Sequence, residues 1–398
     1  MQFPVKSKSQ SAIAATSNDR ELGAFVRETI RRDGPVTFAW FMQQALYHPT
    51  LGYYSSGWAA TGRRGDYFTN VSVGPLFGRL LARQFVEMWE TLGRPAPFAI
   101  VEQGAHSGDF AADVLNATRA DAPEFFSALR YVIVEPFPAL QRKQEQQLRE
   151  FRDRVSWFAD PESLDPFSGV HFSNELFDAL PVHLVRQTET GEWRERYVAL
   201  CGEDLKFQDG ELSDERLARV ISNFPELPAP YETEICVAAA DLLALLAQKL
   251  TRGYLLAVDY GHSRAEYYSP TRTTGTLQCC ANHRVLPSPL RQIGFADITA
   301  HVDWTALADT ALAHGLCVIG FTDQHRFLTG VIGKFPDAIH GDDRDRRALQ
   351  TLLHPTLLGS VFQFLCLARG VAPETRLSGF QFARDPRPTL GLPATDAA

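Results

Sequence analysis

The stretch Phe98-Ala-Ile-Val-Glu-Gln-Gly-Ala-His-Ser-Gly-Asp-Phe110 carries the pattern that decides the fold. An apolar run with a β-branched pair, 98–101, ends at Gly104 and Gly108, and residues 111–117 show apolar spacing of helical period. This reads as strand, glycine turn, helix. Glycine lets the main chain approach a ligand where a Cβ would collide, and the helix start presents unpaired N–H groups. Glu102 at the strand end disfavours a site for phosphate alone and suits an ammonium or ribose hydroxyls. The expected ligand is therefore an adenosine-containing cofactor. The dinucleotide pattern G-x-G-x-x-G fails because His106 stands where its second glycine would fall, so a nicotinamide dehydrogenase is the poorer reading.

The chain downstream repeats the theme. Residues 129–134 predict a second strand ending in Glu135-Pro136, followed by a helix over 138–149. The spacing is that of a βαβ unit, so the second strand lies parallel beside the first and Glu135 shares the rim with the glycine turn. A carboxylate there can accept hydrogen bonds from both ribose hydroxyls. Residues 155–158 predict a third strand ending near Asp160, and 170–173 a fourth. The fourth runs into Asn174-Glu-Leu-Phe-Asp-Ala-Leu-Pro181, where Asn174, Glu175 and Asp178 leave the strand end within five residues. Such a carboxylate pair is ordinarily a solvated turn; its place on the rim favours a functional role.

Bulk properties narrow the classes. The 398 residues suffice for one large domain with insertions or for two domains. The net charge of −8, without a long Lys/Arg block, argues against nucleic acid as the main partner. The six cysteines lack C-x-x-C spacing and any paired His/Cys ligand pattern, which predicts reduced thiols, a reducing compartment and no metal site. No apolar run approaches the length that spans a bilayer.

Organisation is expected as follows. Residues 1–20 form a disordered N-terminus without a secretory apolar core, and 21–95 a helical and loop extension covering the site. Within it, Gly62-Arg-Arg-Gly-Asp-Tyr-Phe-Thr69 packs Arg63, Asp66 and Tyr67 into a polar loop that either solvates a connection or reaches over a site as a lid. Residues 96–181 make the cofactor-binding half of the main domain. A hairpin over 182–187 and 193–200 opens an inserted cap extending to residue 230. Residues 231–370 complete the domain, 262–300 being a long connection that is more functional than idle at that length. Residues 371–398 form a mobile tail.

These residues together resemble a known family. Leu46-Tyr-His-Pro-Thr-Leu-Gly-Tyr-Tyr54, the 62–69 loop, Pro75-Leu-Phe-Gly78, the 174–182 segment, Asp259-Tyr-Gly261 and Ile298-Thr-Ala-His-Val-Asp303 are similar to motifs of the MidA-like S-adenosylmethionine-dependent methyltransferases. That family includes the mitochondrial complex I assembly factor that methylates protein arginine. The resemblance spans roughly residues 20–370. It implies an α/β class I methyltransferase fold, a Rossmann-like and mostly parallel seven-stranded sheet with helices on both faces and an antiparallel last strand. It also implies S-adenosyl-L-methionine as cofactor, with Glu102, Gly104, His106 and Gly108 in its turn and Glu135 as the ribose-binding acid. Asp160 at the adenine edge and Asn174 lining the pocket are placements by position alone. Two departures stand out: His106 replaces the usual middle glycine of the turn, and Asn70-Val71-Ser72 replaces a Ser-Pro-Glu type sequence. A side chain at 106 either crowds the methionine end of the cofactor or points away from it.

The implied activity is transfer of methyl to an arginine guanidinium of a partner protein, a respiratory complex subunit being one candidate, with Glu175 and Asp178 as catalytic carboxylates. A guanidinium arrives protonated, so carboxylates must orient it and localise its charge away from the attacking nitrogen. Two other readings remain: a non-catalytic assembly or regulatory factor on the same scaffold, in which His106 has weakened the cofactor site, and a small-molecule methyltransferase with a closed pocket. The N-terminus lacks an Arg-rich amphipathic helix, which favours a bacterial-type cytoplasm over a mitochondrial matrix. Oligomeric state is not legible.

Overall fold

The computed structural model describes residues 8–56, 70–281, 284–372 and 374–393. The chain divides into two compact units, one drawn from residues 1–67, 179–238 and 268–300, the other from 68–178, 239–267 and 301–398.

The second unit is built on a seven-stranded sheet. A helix, α1 (Leu76–Thr91), precedes β1 (Phe98–Gln103); then come α2 (Asp109–Asp121), β2 (Leu129–Val134), α3 (Pro138–Gln147), β3 (Val155–Phe158) and β4 (Phe167–Asn174). After a first excursion over 179–238 the chain returns through the helix Val237–Lys249 to β5 (Leu250–Asp259), and after a second over 268–300 it continues as α4 (Trp304–Ala313), β6 (Cys317–Asp323), α5 (Gln324–Lys334) and β7 (Gln363–Arg369). The strand order is β6-β7-β5-β4-β1-β2-β3. Pairings β1–β2, β2–β3, β1–β4 and β4–β5 are parallel, and β7 lies antiparallel to both β5 and β6. This is the doubly wound class I methyltransferase order expected from the sequence.

The order has a consequence for ligands. From β1 the chain winds outward through β2 and β3, then crosses back to β4 on the other side of β1. That reversal opens a crevice at the carboxyl ends of β1, β2 and β4, the place where open α/β sheets bind ligands. Gln103 pairs with Val134 on one side and Ser173 on the other, so the strand ends are level there.

The core under this rim is aromatic. Phe110 of α2 stacks on Phe172 of β4 at 4.4 Å between centroids, and Phe85 of α1 meets the same ring edge-on at 5.7 Å. All three are buried, each burial being worth roughly 1.5–3 kcal/mol. The packing fixes α1 and α2 against the sheet, and with them the start of α2 beside the glycine turn.

The tail expected to be mobile is instead packed over its described residues. Leu377, Phe380 and Leu390 are buried, and Phe380 lies 5.2 Å edge-on to Phe327 of α5. The reason is polar as well as apolar: the buried Glu87 carboxylate accepts the Ser378 N–H at 3.0 Å, and Gln84 Oε1 accepts the Gly379 N–H at 2.9 Å. The anchoring groups lie in α1, almost 300 residues upstream, so composition around the tail does not reveal them.

The first unit holds an antiparallel sheet in which Val36–Thr37, Trp193–Cys201, His183–Gln187 and Tyr231–Ile235 pair in that order, with Asp204–Gly210 alongside Trp193–Cys201. Its helix Phe38–Tyr47 is capped by Thr37, whose hydroxyl accepts the Trp40 N–H. The helical extension expected from residue 21 begins earlier, at Lys8, inside the stretch expected to lack order. The connection 262–300 contains a small sheet of Gln278–Ala281, Arg284–Val285 and Asp297–Thr299. Among the described residues no helix is long and apolar enough to cross a membrane.

Candidate functional site

The glycine turn is held in left-handed backbone. Gly104 and Gly108 both have φ of 84°, which glycine adopts without steric cost. His106 also has positive φ, at 47°, a conformation that costs an L-residue roughly 1–2 kcal/mol. A side-chain-bearing residue in the middle of the turn thus sits in strained backbone. The side chain is half-buried.

Glu135 follows β2 and is buried. Its Oε1 accepts the Phe137 N–H at 2.9 Å and its Oε2 accepts the Gln144 Nε2–H at 2.8 Å. Each carboxylate oxygen has two acceptor positions, so one on each remains for a ligand's pair of hydroxyls. Burial pushes this carboxyl up to about 7, the two N–H bonds pulling the other way. Gln144 was not anticipated from sequence; it also donates to the His106 carbonyl at 2.9 Å and so links the turn to Glu135.

Glu102 is buried beneath the turn, and Tyr131 of β2 donates its hydroxyl to Glu102 Oε2 at 2.7 Å. Desolvation raises its carboxyl to about 7. Asp160 is exposed at the end of β3 and accepts the Ser163 N–H at 2.7 Å, capping the short turn that follows. These placements put Glu135 and the turn together, Glu102 inside, and Asp160 at the margin.

Across the crevice, the segment after β4 is wrapped round one carboxylate. Asp259, at the end of β5 and buried, accepts the N–H groups of Leu176, Phe177 and Asp178 on Oδ2 at 3.1, 2.9 and 3.3 Å, and that of Tyr260 on Oδ1 at 2.9 Å. Burial and the neighbouring Glu175 raise this acid. Glu175 itself has φ of 55°, a second left-handed residue other than glycine on the rim. Asn174 Nδ2 donates to Glu175 Oε1 at 3.0 Å, while Asn174 Oδ1 accepts from buried Asn70 at 3.0 Å. Asp178 is buried and accepts the Tyr260 hydroxyl. The Asp259-Tyr260 pair, noted in the sequence only as part of a motif, therefore shapes the turn that presents Glu175 and Asp178. Arg63, Asp66 and Tyr67 lie outside the described residues.

The donor set suits a nucleoside with a cationic tail. It offers spare acceptor positions on Glu135, a glycine turn at a helix start, and a cluster of carboxylates opposite. Residues 80–322 match the family described as "Putative S-adenosyl-L-methionine-dependent methyltransferase". The chain belongs to this methyltransferase family.

Relatives of the family agree over nearly full length. Protein arginine methyltransferase NDUFAF7 homolog, mitochondrial, of Drosophila melanogaster is 26% identical, over 92% of this chain and 89% of its own. The human protein arginine methyltransferase NDUFAF7, mitochondrial, is 26% identical over 90% and 85%. A Burkholderia thailandensis protein crystallised with S-adenosyl-homocysteine bound is 29% identical, with a TM-score of 0.83 over 97% of this chain and all of that one. The methyltransferase uses S-adenosyl-L-methionine. The preference for a bacterial-type cytoplasm over the mitochondrion does not stand, because the curated relatives are mitochondrial proteins. That expectation was drawn from the composition of the first residues, which carries little weight beside those relatives.

Proposed function

We propose that this methyltransferase transfers methyl to an arginine guanidinium of a partner protein, with Glu175 and Asp178 as the catalytic carboxylates. The observation that carries the reading is the Asp259-centred turn: a buried carboxylate spends its acceptor capacity on the N–H groups of 176–178, and so fixes the two neighbouring acids on the rim. The relatives named protein arginine methyltransferases support the acceptor class. A respiratory complex subunit is one candidate substrate.

S-adenosyl-L-methionine supplies, when bound, a methyl group on a sulfonium. Gly104, His106 and Gly108 would hold its amino-acid end, Glu135 its ribose, Asn174 would line the pocket, and Asp160 would face the adenine edge. Attack is in line, so orientation of the acceptor carries much of the barrier. Glu175 and Asp178 accept the guanidinium N–H groups, hold its charge on the far nitrogens and take up the proton that the attacking nitrogen loses. Asn174 orients Glu175, and Tyr260 orients Asp178.

The test uses methyl-labelled cofactor and a protein extract as acceptor, with amino-acid analysis of the labelled protein. Label in methylarginine supports the reading, and label only in small molecules favours a compact-substrate enzyme. Glu175→Gln and Asp178→Asn should each lower turnover about a hundredfold at saturating cofactor, as for loss of an electrostatic group at a reacting centre. Unchanged turnover in both variants sinks the assignment.

A further inference from the structure

Gln144 lies fully buried on α3 and spends its whole amide on three elements of the cofactor rim. Its Nε2 donates to the His106 carbonyl at 2.9 Å and to Glu135 Oε2 at 2.8 Å, while its Oε1 accepts the Trp157 Nε1–H of β3 at 3.0 Å. The indole N–H can only donate, so the amide oxygen must face Trp157 and both amide hydrogens must face the turn and Glu135. Trp157 thereby sets the direction of a group that could otherwise flip. Gly108 packs beside the same side chain, where a Cβ would make ordinary contact with Gln144 at 3.4–3.5 Å.

We propose that Gln144 is a positioning residue that locks the glycine turn to Glu135 in the geometry that receives the nucleoside end of the cofactor. This rests on the reading of Glu135 as the ribose-binding acid. The side chain is occupied on all sides by protein and touches no ligand itself. It acts through Glu135, by fixing one carboxylate oxygen and stabilising the charged form, and through the turn, by fixing the carbonyl of the strained residue His106. The groups facing Glu135 are the neutral amides of Phe137 and Gln144; His106, the titratable neighbour on the turn, joins the network through its main chain. The charged carboxylate accepts from both ribose hydroxyls, and its protonated form loses one of those positions. Cofactor affinity should therefore fall as pH drops through the range in which Glu135 protonates, and removing the Gln144 donor should move that fall to higher pH.

The experiment titrates the full chain with S-adenosyl-homocysteine by calorimetry from pH 5.5 to 9, for the parent, Gln144→Met, Trp157→Phe and Glu135→Gln, with thermal melts as a folding control. Gln144→Met keeps length and bulk but loses both donors; affinity at neutral pH should fall about tenfold and the pH midpoint should rise. Trp157→Phe frees the amide to flip and should weaken binding less, in the same direction. Glu135→Gln should weaken binding and abolish the pH step. A folded Gln144→Met protein with the parent's affinity and midpoint, while Glu135→Gln loses affinity, overturns the proposal alone. Should Gln144→Met not fold, Trp157→Phe decides in its place, and a Trp157→Phe protein identical to the parent overturns it. A Glu135→Gln protein with unchanged affinity and pH step overturns the ribose reading, and this inference falls with it.

Discussion

Two residues other than glycine hold left-handed backbone at the site, and they call for different treatment. His106, at φ 47°, occupies the middle of the glycine turn, and Glu175, at φ 55°, begins the segment after β4. His106→Gly relieves strain, partly offset by the freedom glycine gains in the unfolded chain, and should stabilise the protein by about 1 kcal/mol. If the imidazole crowds the cofactor, the same variant will also bind S-adenosyl-homocysteine more tightly; if it points away, affinity will stay level. A lower melting temperature would show that the imidazole's contacts outweigh the strain. Glu175→Gly should likewise melt at or above the parent's temperature, yet lose turnover, because the strain there serves to present a carboxylate. Retained turnover would mean that Glu175 is a turn residue and nothing more.

At the scale of elements, the site depends on which strands the topology makes neighbours. Asn174 pairs with Val258, so the ends of β4 and β5 meet, and Asp259 reaches the N–H groups of a turn about eighty residues earlier in sequence. Asp259→Asn leaves one amide oxygen to accept but removes the charge and one acceptor atom. We expect it to cost about 1–3 kcal/mol of stability and to lower turnover far more than cofactor affinity; the reverse split, with affinity lost and turnover kept, would place Asp259 in the cofactor site. The same geometry explains what the sequence could and could not tell. The strand, turn and helix around Gly104 and Gly108 are local, and so is the position of Glu135 at the end of β2; both are legible from spacing. Gln144 reads as one more polar residue in Pro138-Ala-Leu-Gln-Arg-Lys-Gln-Glu-Gln-Gln147, since its partners come from the turn, β2 and β3. Asp259 was visible as the first residue of the Asp259-Tyr-Gly261 motif, yet its partners were not. The packed tail escaped for the same reason, its anchors Gln84 and Glu87 being in α1.

The second unit as a whole buries more acid than its ligand-free state favours, and its stability should therefore depend on pH in an uncommon direction. Glu102 and Glu135 are pushed up to about 7 and Asp259 is raised as well, each chiefly by burial. In each case the folded state holds a proton that the unfolded chain releases near pH 4, so the contribution to stability is full at low pH and is lost as pH rises through the folded value. His171, buried on β4 and lowered to about 3, works the other way: its contribution is lost as pH falls below the ordinary histidine value near 6.5, where the unfolded chain takes up the proton. Asp113 and Asp303, raised to about 6, reinforce the three carboxylates toward the acid side. Between pH 6 and 8 the histidine opposes the acids by somewhat under 1 kcal/mol, and Glu102 and Glu135, at roughly 1 kcal/mol apiece with Asp259 adding to them, outweigh it. The ligand-free protein should thus melt several degrees lower at pH 8 than at pH 6. Glu102→Gln should shrink that difference, since a neutral amide still accepts the Tyr131 hydroxyl but has no proton to lose. Under the proposed ribose contact, saturating S-adenosyl-homocysteine should shrink it too, because hydroxyls bonded to Glu135 would stabilise its charged form. A melting temperature that rises from pH 6 to 8 without ligand would mean that these acids are charged in the folded protein, and the spare acceptor positions of Glu135 would then be filled from within the chain.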